Sequence, residues 1–194
     1  MIICLTRSNM PLNPEISRFI REHLDDNPDQ LLWKKNEYPD DRAVLAVEQI
    51  QARENIKEKL PSWYACRDIF YPSKLSTEQC SSETTAPYKA RLATGNSLCD
   101  LTGGLGVDTY FFSRQVDKVT YVERDESYCE AARSNFLALG ATNIEVIHAD
   151  ATTVVNQVIA DTYYVDPARR TTDNKRVFAL TDYAPNVLEI KETL

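Results

Sequence analysis

The sequence predicts an α/β fold in which a helical region precedes an open parallel sheet. Two observations support this prediction. None of the five glycines precedes Gly95, and three of them fall within residues 103–106. From Ser97 onward, short apolar runs alternate with segments of helical length, which is typical of βαβ units and a parallel sheet. We therefore predict an N-terminal helical region over residues 1–93 and an α/β domain over residues 94–194.

The first region contains apolar residues at helical spacing. Asn13 and Pro14 form a good N-cap and first-turn pair, and an apolar face follows from Ile16 to Leu24. The predicted helices span residues 14–25, 41–59 and 82–92, and Pro61 is expected to end the second one. The aromatic stretch 63–71 is expected to pack against the α/β domain.

The second region alternates strands with helices. The predicted strands span residues 97–101, 118–123, 143–148 and 162–166. The predicted helices span residues 106–115, 126–139 and 151–160, with a last helical segment over 182–194. Gly140 follows the second of these helices at the position where glycine commonly ends one.

Composition narrows the class of protein. A net charge of −7 counts against a general nucleic-acid binder, although a local basic site is compatible with it. No apolar run approaches the roughly 20 residues of a membrane span, and no signal peptide is apparent. The five cysteines are widely spaced and form no C-x-x-C pair, so we expect no disulfide framework, no metal site and a cytoplasmic location.

Acidic residues end the predicted strands. Asp100 precedes the glycine turn, and Glu123, Asp150 and Asp166 end the next three strands. In open α/β sheets, ligands bind beyond the carboxyl ends of the strands, so these side chains are expected to surround a ligand. A glycine turn alone also fits nicotinamide-binding folds, but Thr109 stands where the G-x-G-x-x-G pattern needs its third glycine.

The run Asp100-Leu-Thr-Gly-Gly-Leu-Gly-Val-Asp108 resembles motif I of class I S-adenosylmethionine-dependent methyltransferases. It is most similar to the D-x-T-x-G-x-G-x-D form of some RNA methyltransferases, including bacterial small-subunit ribosomal RNA guanine-N2 enzymes. The chain as a whole also resembles bacterial methyltransferases with THUMP-like C-terminal domains. In those proteins a helical segment ending in a Glu-Gln-x-Ser-Ser-Glu run precedes motif I, and here that run is Glu78-Gln-Cys-Ser-Ser-Glu83.

The resemblance implies S-adenosylmethionine as the cofactor and a role for each strand end. Glu123 would bind the ribose hydroxyls, Asp150 the adenine amino group and Asp100 the methionine amino end, directly or through water. Asp108 either binds the cofactor or only favours the first turn of its helix. The predicted cofactor-binding residues are Asp100, Thr102, Gly103, Gly104, Gly106, Asp108, Glu123, Asp150 and Ala151.

Asp166 and Pro167 occupy the motif IV position, which faces the transferred methyl group in this family. Exocyclic-amine enzymes commonly have [DNS]-P-P-[YFW] there, whereas this chain has Asp166-Pro-Ala-Arg169. We predict that Asp166 and Pro167 are catalytic and that the acceptor is a purine exocyclic amine in RNA. The predicted substrate-side residues are Arg169, Arg170, Gln79, Ser81, Ser82 and Lys89. Several alternatives remain open. Glu123 and Asp150 are alternatively helix caps or solvated loop residues, and Asp166-Pro167 is alternatively a structural turn. A solvated loop at the two arginines and ordinary helix capping at the two serines also remain alternatives.

Other functions remain open at the level of the sequence. They are a small-molecule or protein methyltransferase, a cofactor-binding RNA module without catalysis, and an NAD-dependent dehydrogenase. The resemblance also implies seven strands in the order 3-2-1-4-5-7-6, of which we can place only 3-2-1-4. We therefore expect a partial Rossmann-like sheet from a longer protein, with the fourth strand as an uncovered edge that favours self-association.

Overall fold

A computed structural model of the chain describes residues 14–167 and 185–193. Its strands are β1 Ser97–Asp100, β2 Lys118–Glu123, β3 Ile144–His148 and β4 Thr162–Tyr164. All pairs are parallel, and the order is β3-β2-β1-β4. This confirms the predicted α/β class and the 3-2-1-4 order.

Helices cover both faces of the sheet, as buried parallel strands require. On one face, Leu98 and Val119 pack against helices before and after β1, and Tyr121 packs against the helix after β2. On the other face, Cys99 and Val122 pack against the last two helices. The helices from β1 onward are α7 Val107–Phe112, α8 Glu126–Ala138, α9 Ala151–Val154 and α10 Val187–Thr193.

Six α-helices precede β1 in the described residues. They are α1 Pro14–His23, α2 Pro28–Trp33, α3 Arg42–Ile56, α4 Pro61–Ala65, α5 Lys74–Gln79 and α6 Thr85–Ala90, with a 3-10 turn at Lys35–Glu37. The helices predicted over 14–25, 41–59 and 82–92 are confirmed with shorter bounds. The predicted role of Pro61 is wrong, because α3 already ends at Ile56 and Pro61 is the first residue of α4.

Three helices, α2, α4 and α5, were not predicted, and α9 is shorter than expected. The Asn27 side chain accepts from the amides of Asp29 and Gln30 and starts α2, which is the same Asn-Pro signal that marks α1. The helix α5 starts at a Ser73 cap. The helix predicted over 151–160 ends at Val154, and α10 begins two residues after Pro185.

The helical region and the sheet share one core. Ile56, Leu60 and Trp63 from the helices pack with Leu105 and Val107 beside the glycine turn, in a cluster completed by Ala52, Ile69, Tyr71 and Ala86. Trp63 is fully buried, which confirms the predicted packing of the aromatic stretch. A separate cluster joins α1, α2 and α3.

Two buried amides attach the chain before α5 to helices on either side. The Asn135 side chain of α8 accepts from the Phe70 amide and donates to the Phe70 carbonyl, both at 2.8 Å. The Gln49 side chain of α3 pairs in the same way with Tyr71, both at 2.9 Å. This attachment determines where α5 begins relative to the sheet.

The two edge strands of the described sheet are β3 and β4, and β4 pairs with β1. Its residues are half-buried between the apolar clusters on the two faces. The expected self-association through this edge remains a prediction. Among the described residues, no helix is both long enough and apolar enough to span a bilayer.

Candidate active site

A cleft of about 790 Å³ lies at the carboxyl ends of the strands. Ligand pockets of proteins commonly have volumes of about 300 to 1,000 Å³. The walls come from the segment around α5, the glycine turn and the loops after β2, β3 and β4. The lining residues are Ser76, Gln79, Cys80, Ser81, Leu101, Thr102, Gly103, Gly104, Leu105, Gly106, Val107, Asp108, Glu123, Arg124, Asp125, Tyr128, Ala149, Asp150, Ala151, Thr152, Asp166, Pro167, Pro185 and Asn186.

The glycine turn lies directly on the sheet. Gly104 and Gly106 have φ values of +53° and +88°, a region that glycine adopts without strain. A Cβ atom on Gly103 would overlap the Tyr121 ring, and one on Gly106 would lie 2.7 Å from the Phe136 ring. The Tyr121 hydroxyl donates to the Gly104 carbonyl at 2.6 Å. The glycines therefore permit both the turn and its close approach to β2 and α8.

The Asp100 carboxylate holds the residues on either side of the glycine turn by hydrogen bonds. Its Oδ1 accepts from the Thr102 amide at 3.0 Å, and its Oδ2 accepts from the Thr109 hydroxyl at 2.6 Å. The side chain is buried and does not line the cleft. Burial raises the pKa of Asp100 to about 7, although the bonds from Thr109 and Thr102 oppose the shift. The structure therefore places Asp100 where it shapes the turn.

Glu123 links the end of β2 to the glycine turn. Its Oε2 accepts from the Gly104 amide at 3.0 Å, while its Oε1 accepts from the amides of Arg124 and Asp125 at 2.8 and 3.0 Å. Asp125, in turn, caps α8 by accepting from the Ser127 amide. Backbone amides from two successive loops thus determine the position of the Glu123 carboxylate.

Asp150 is both the cap of α9 and a wall of the cleft. Its Oδ1 accepts from the amide and the hydroxyl of Thr152 at 2.9 and 2.6 Å. The Thr152 hydroxyl and amide hold the pKa of Asp150 below its usual range. These bonds involve Oδ1 alone, so the helix-cap interpretation and a binding role are compatible. Ala151 lies beside it in the cleft wall.

The side chains after β4 meet the segment before β1. The Asp166 amide donates to the Thr102 hydroxyl at 2.8 Å. The Asp166 Oδ2 accepts from the Lys89 ammonium at 3.2 Å and lies 3.3 Å from the Tyr164 hydroxyl. Asp166 and Pro167 both line the cleft.

Lys89 also contacts three other groups around the same point. Its Nζ lies 2.6 Å from the Tyr164 hydroxyl, 2.9 Å from Ser81 Oγ and 3.0 Å from Asp108 Oδ2. Burial lowers the pKa of Lys89, but the carboxylates of Asp108 and Asp166 outweigh it and raise the pKa overall. Burial and the same carboxylates raise the pKa of Tyr164. Lys89 is therefore held as a cation and Tyr164 as a hydroxyl.

The other predicted substrate-side residues have different locations. Gln79 and Ser81 line the cleft, whereas the Ser82 hydroxyl bonds with Thr84 and Thr85 and accepts from the Thr85 amide, as a local cap does. Arg169 and Arg170 lie outside the described residues.

Sequence reasoning missed Tyr164 and Asp125. Tyr164 lies within the predicted strand 162–166, and alternation along that strand places it on the same face as Asp166. Asp125 follows the sequence rule for a helix N-cap, so it could have been found by that signal.

One solved structure resembles this chain over almost its whole length. It is the crystal structure of a "putative methyltransferase from Porphyromonas gingivalis W83", with a TM-score of 0.78 and 31% sequence identity over 93% of this chain. The match covers 45% of the Porphyromonas protein, so this chain spans less than half of the length of that relative. The two share the fold described above.

Other solved structures are more distant. An rRNA methylase from Streptococcus thermophilus is 22% identical, with a TM-score of 0.39, over 56% of this chain and 59% of its own. A SAM-dependent methyltransferase from Agrobacterium tumefaciens is also 22% identical, with a TM-score of 0.43, over 57% of this chain and 38% of its own. No family model matches the sequence, and no curated protein matches it.

Proposed function

We propose that this chain forms the cofactor-binding and catalytic part of a class I S-adenosylmethionine-dependent methyltransferase. The main observation is the convergence of Glu123, Asp150 and Asp166 on one cleft beside the glycine turn. The strand order and the 31% identity to the Porphyromonas protein support the same proposal.

The residues of the cleft suit a nucleoside with a charged amino-acid tail. A carboxylate offers about four acceptor positions, and three amides already occupy Glu123, so we expect it to accept from one ribose hydroxyl directly. Asp150 keeps Oδ2 for the adenine amino group. The segment containing Gln79 and Ser81 would close the methionine end.

S-adenosylmethionine supplies a methyl group on a sulfonium, which is an already activated leaving group. The protein's task is then largely to position the acceptor. In the proposal, Asp166 accepts a hydrogen bond from the acceptor N–H and thereby orients the nitrogen lone pair. Pro167 follows Asp166 directly at the cleft wall, where its ring restricts the backbone.

The structure supplies an observation against a dinucleotide site. Thr109 replaces the third glycine of the dinucleotide pattern, and its side chain is fully buried against Asp100. In dinucleotide-binding folds that glycine allows close packing of helix against strand. We therefore favour S-adenosylmethionine over a nicotinamide cofactor.

Calorimetry with S-adenosylhomocysteine and with NAD tests the cofactor part of the proposal. We expect binding of the first compound and none of the second, because the cleft has carboxylates at the nucleoside end and no pyrophosphate-binding glycine pattern. Binding of NAD alone would contradict the proposal and favour a dehydrogenase.

The acceptor is the finer part of the proposal, and we propose a purine exocyclic amine in RNA. The support is the Asp-Pro start of motif IV and the arginines that follow it in sequence. Tritiated methyl transfer to RNA from a deletion strain, followed by nucleoside analysis, tests it. A labelled N-methylpurine is the expected product. Cofactor binding without transfer to RNA would favour a small-molecule or protein substrate, or a module without catalysis.

The arginines provide a separate test of RNA contact. Replacing Arg169 and Arg170 by alanine should reduce the slope of log affinity against log salt by about 1.4 if each contacts one phosphate of single-stranded RNA. The matched control is the double variant Arg18→Ala with Arg114→Ala, which removes two exposed arginines that do not line the cleft. An unchanged slope in the first variant would favour a solvated loop.

A further inference from the structure

The Lys89 ammonium has three N–H donors and lies within 3.2 Å of four acceptors. These acceptors belong to separate parts of the chain. Ser81 follows α5, Asp108 is in α7, Tyr164 ends β4, and Asp166 follows β4. The Lys89 side chain therefore joins the segment before β1 to the helix that follows the glycine turn and to the end of β4.

We propose that Lys89 is a positioning residue for the transfer reaction, and that it works with the Tyr164 hydroxyl to orient the Asp166 carboxylate in the cleft. The inference rests on the proposed function, in which Asp166 accepts a hydrogen bond from the methyl acceptor. Lys89 and Tyr164 act through Asp166 and need not touch the acceptor.

The geometry gives Asp166 few other supports. Its side chain is 54% exposed, and both of its side-chain bonds go to Oδ2. Oδ1 therefore has no bond among the described residues and remains available to an acceptor amine. Without Lys89, the contact left to the carboxylate among the described side chains would be the 3.3 Å contact with Tyr164, which is long for a hydrogen bond between oxygens. The single proton of the Tyr164 hydroxyl is also shared with Asp108 Oδ2, at 3.2 Å.

Asp108 anchors Lys89 on the buried side. The Lys89 and Asp108 side chains are 23% and 15% exposed, so this ion pair is more shielded from water than the pair with Asp166. Removing one partner of a shielded ion pair leaves the other charge unpaired and poorly hydrated, which costs free energy. The contact between Lys89 and Asp108 is therefore stable. The ammonium is therefore held mainly by Asp108 and can hold the more exposed Asp166 in turn.

Competitive acetylation with acetic anhydride, read by mass spectrometry, tests the contact in solution and needs no substrate. The reference is Lys118, which is 64% exposed and pairs with Glu145. We expect Lys89 to react more slowly than Lys118. Asp166→Asn should then speed the labelling of Lys89 about two- to fivefold, the factor for one partly exposed ion pair, and leave Lys118 unchanged. Equal rates at Lys89 in wild type and Asp166→Asn would overturn the proposed contact.

Single-turnover transfer and S-adenosylhomocysteine binding test the positioning role. Lys89→Met should slow transfer about 10- to 100-fold while the dissociation constant changes less than about threefold, because misplacing a reacting group lowers the rate more than ground-state binding. The control is Lys118→Met, at the opposite end of β2. If Lys89→Met does not fold, Tyr164→Phe removes only the hydroxyl and should show the same split. Equal losses of binding and rate, or no loss of either, would overturn the positioning role.

The two readouts distinguish the failure of this inference from failure of the proposed function. If the wild-type protein binds no S-adenosylhomocysteine, the proposed function fails, whereas the labelling result still decides whether Lys89 holds Asp166. If the wild type binds and transfers while Lys89→Met behaves like Lys118→Met, only the inference fails.

Discussion

The two ends of the cleft are built differently. The end that we propose to bind the cofactor contains Glu123 and Asp150 and is called the cofactor end. There the carboxylates accept mainly from backbone amides, some within two residues of themselves. The end that we propose to face the methyl acceptor is called the transfer end and contains Lys89, Asp108, Tyr164 and Asp166. There the side chains hold one another across as many as 77 residues of sequence. Local turns thus build the first end, and tertiary packing builds the second.

This difference has a consequence for mutations. A carboxylate held by its own loop keeps its place when a distant side chain changes, so variants at the cofactor end should affect mainly binding. A carboxylate held by other side chains loses its orientation when one of them is removed, so variants at the transfer end should affect mainly rate. The following predictions test this division.

The largest effect is expected at Asp166. Asp166→Ala, which removes the side-chain acceptor, should slow transfer about 10²- to 10⁴-fold, with little change in S-adenosylhomocysteine affinity. Single-turnover kinetics and calorimetry measure the two quantities. Asp117→Ala, at an exposed aspartate at the amino end of β2, is the control. A parallel loss of affinity would mean that Asp166 belongs to the cofactor end.

The next effect concerns the glycine turn. Gly106→Ala should lower the free energy of unfolding by about 2 to 5 kcal/mol, because left-handed backbone strain of about 1 to 2 is added to overpacking of about 1 to 3. Gly140→Ala is a matched control, since its φ is +73° but nothing lies within 4 Å of the added Cβ. Urea unfolding measures both. Equal losses of unfolding free energy in the two variants would show that the Phe136 ring moves aside without an energetic penalty, and would contradict the overpacking part of this prediction.

A pH-dependent effect is expected at Asp100. Since burial raises its pKa to about 7, folded Asp100 binds its proton more tightly than the unfolded chain does. Its contribution therefore favours folding below about pH 4 and is lost as the pH rises through 7. Asp100→Asn keeps an acceptor for the Thr102 amide and replaces the acceptor for Thr109 with an N–H that the Thr109 hydroxyl can accept. This variant should gain about 2 to 4 kcal/mol relative to wild type between pH 4 and 8. A pH-independent difference in urea unfolding would refute this expectation.

The smallest effect is expected at Glu123. Glu123→Ala should weaken S-adenosylhomocysteine binding by about 1.5 to 3 kcal/mol, the range for a hydrogen bond to a charged group. The variant also removes the acceptor for three amides, so calorimetry must be done where unfolding curves show a fully folded sample. Glu126→Ala, in the first turn of α8 and outside the cleft lining, is the control. Unchanged affinity would remove Glu123 from the site.

Sequence patterns predicted the α/β fold and the strand-end positions of Glu123 and Asp150 beside the glycine turn, because these features follow from short-range rules. The glycine turn after β1 and the acidic strand ends at Glu123 and Asp150 are apparent from alternation and caps alone. Asp100 was expected near the cofactor, but whether its carboxylate faces the ligand or the turn depends on Thr109, nine residues away. The helix α5 is too short to show a helical period, and its place depends on buried amides from α3 and α8.

The amino-acid sequence by itself determined four strands, their parallel pairing and the carboxylates at the carboxyl ends of the strands. These features follow from strand periodicity, helix caps and glycine turns, which depend on only a few neighbouring residues. Only the tertiary structure decided that Lys89 reaches Asp166. That contact requires α6 to lie beside β4, which in turn requires the packing of Ala90 and Phe112 on the sheet. Packing between distant segments leaves no period in the sequence, so the transfer end became visible only in the folded chain.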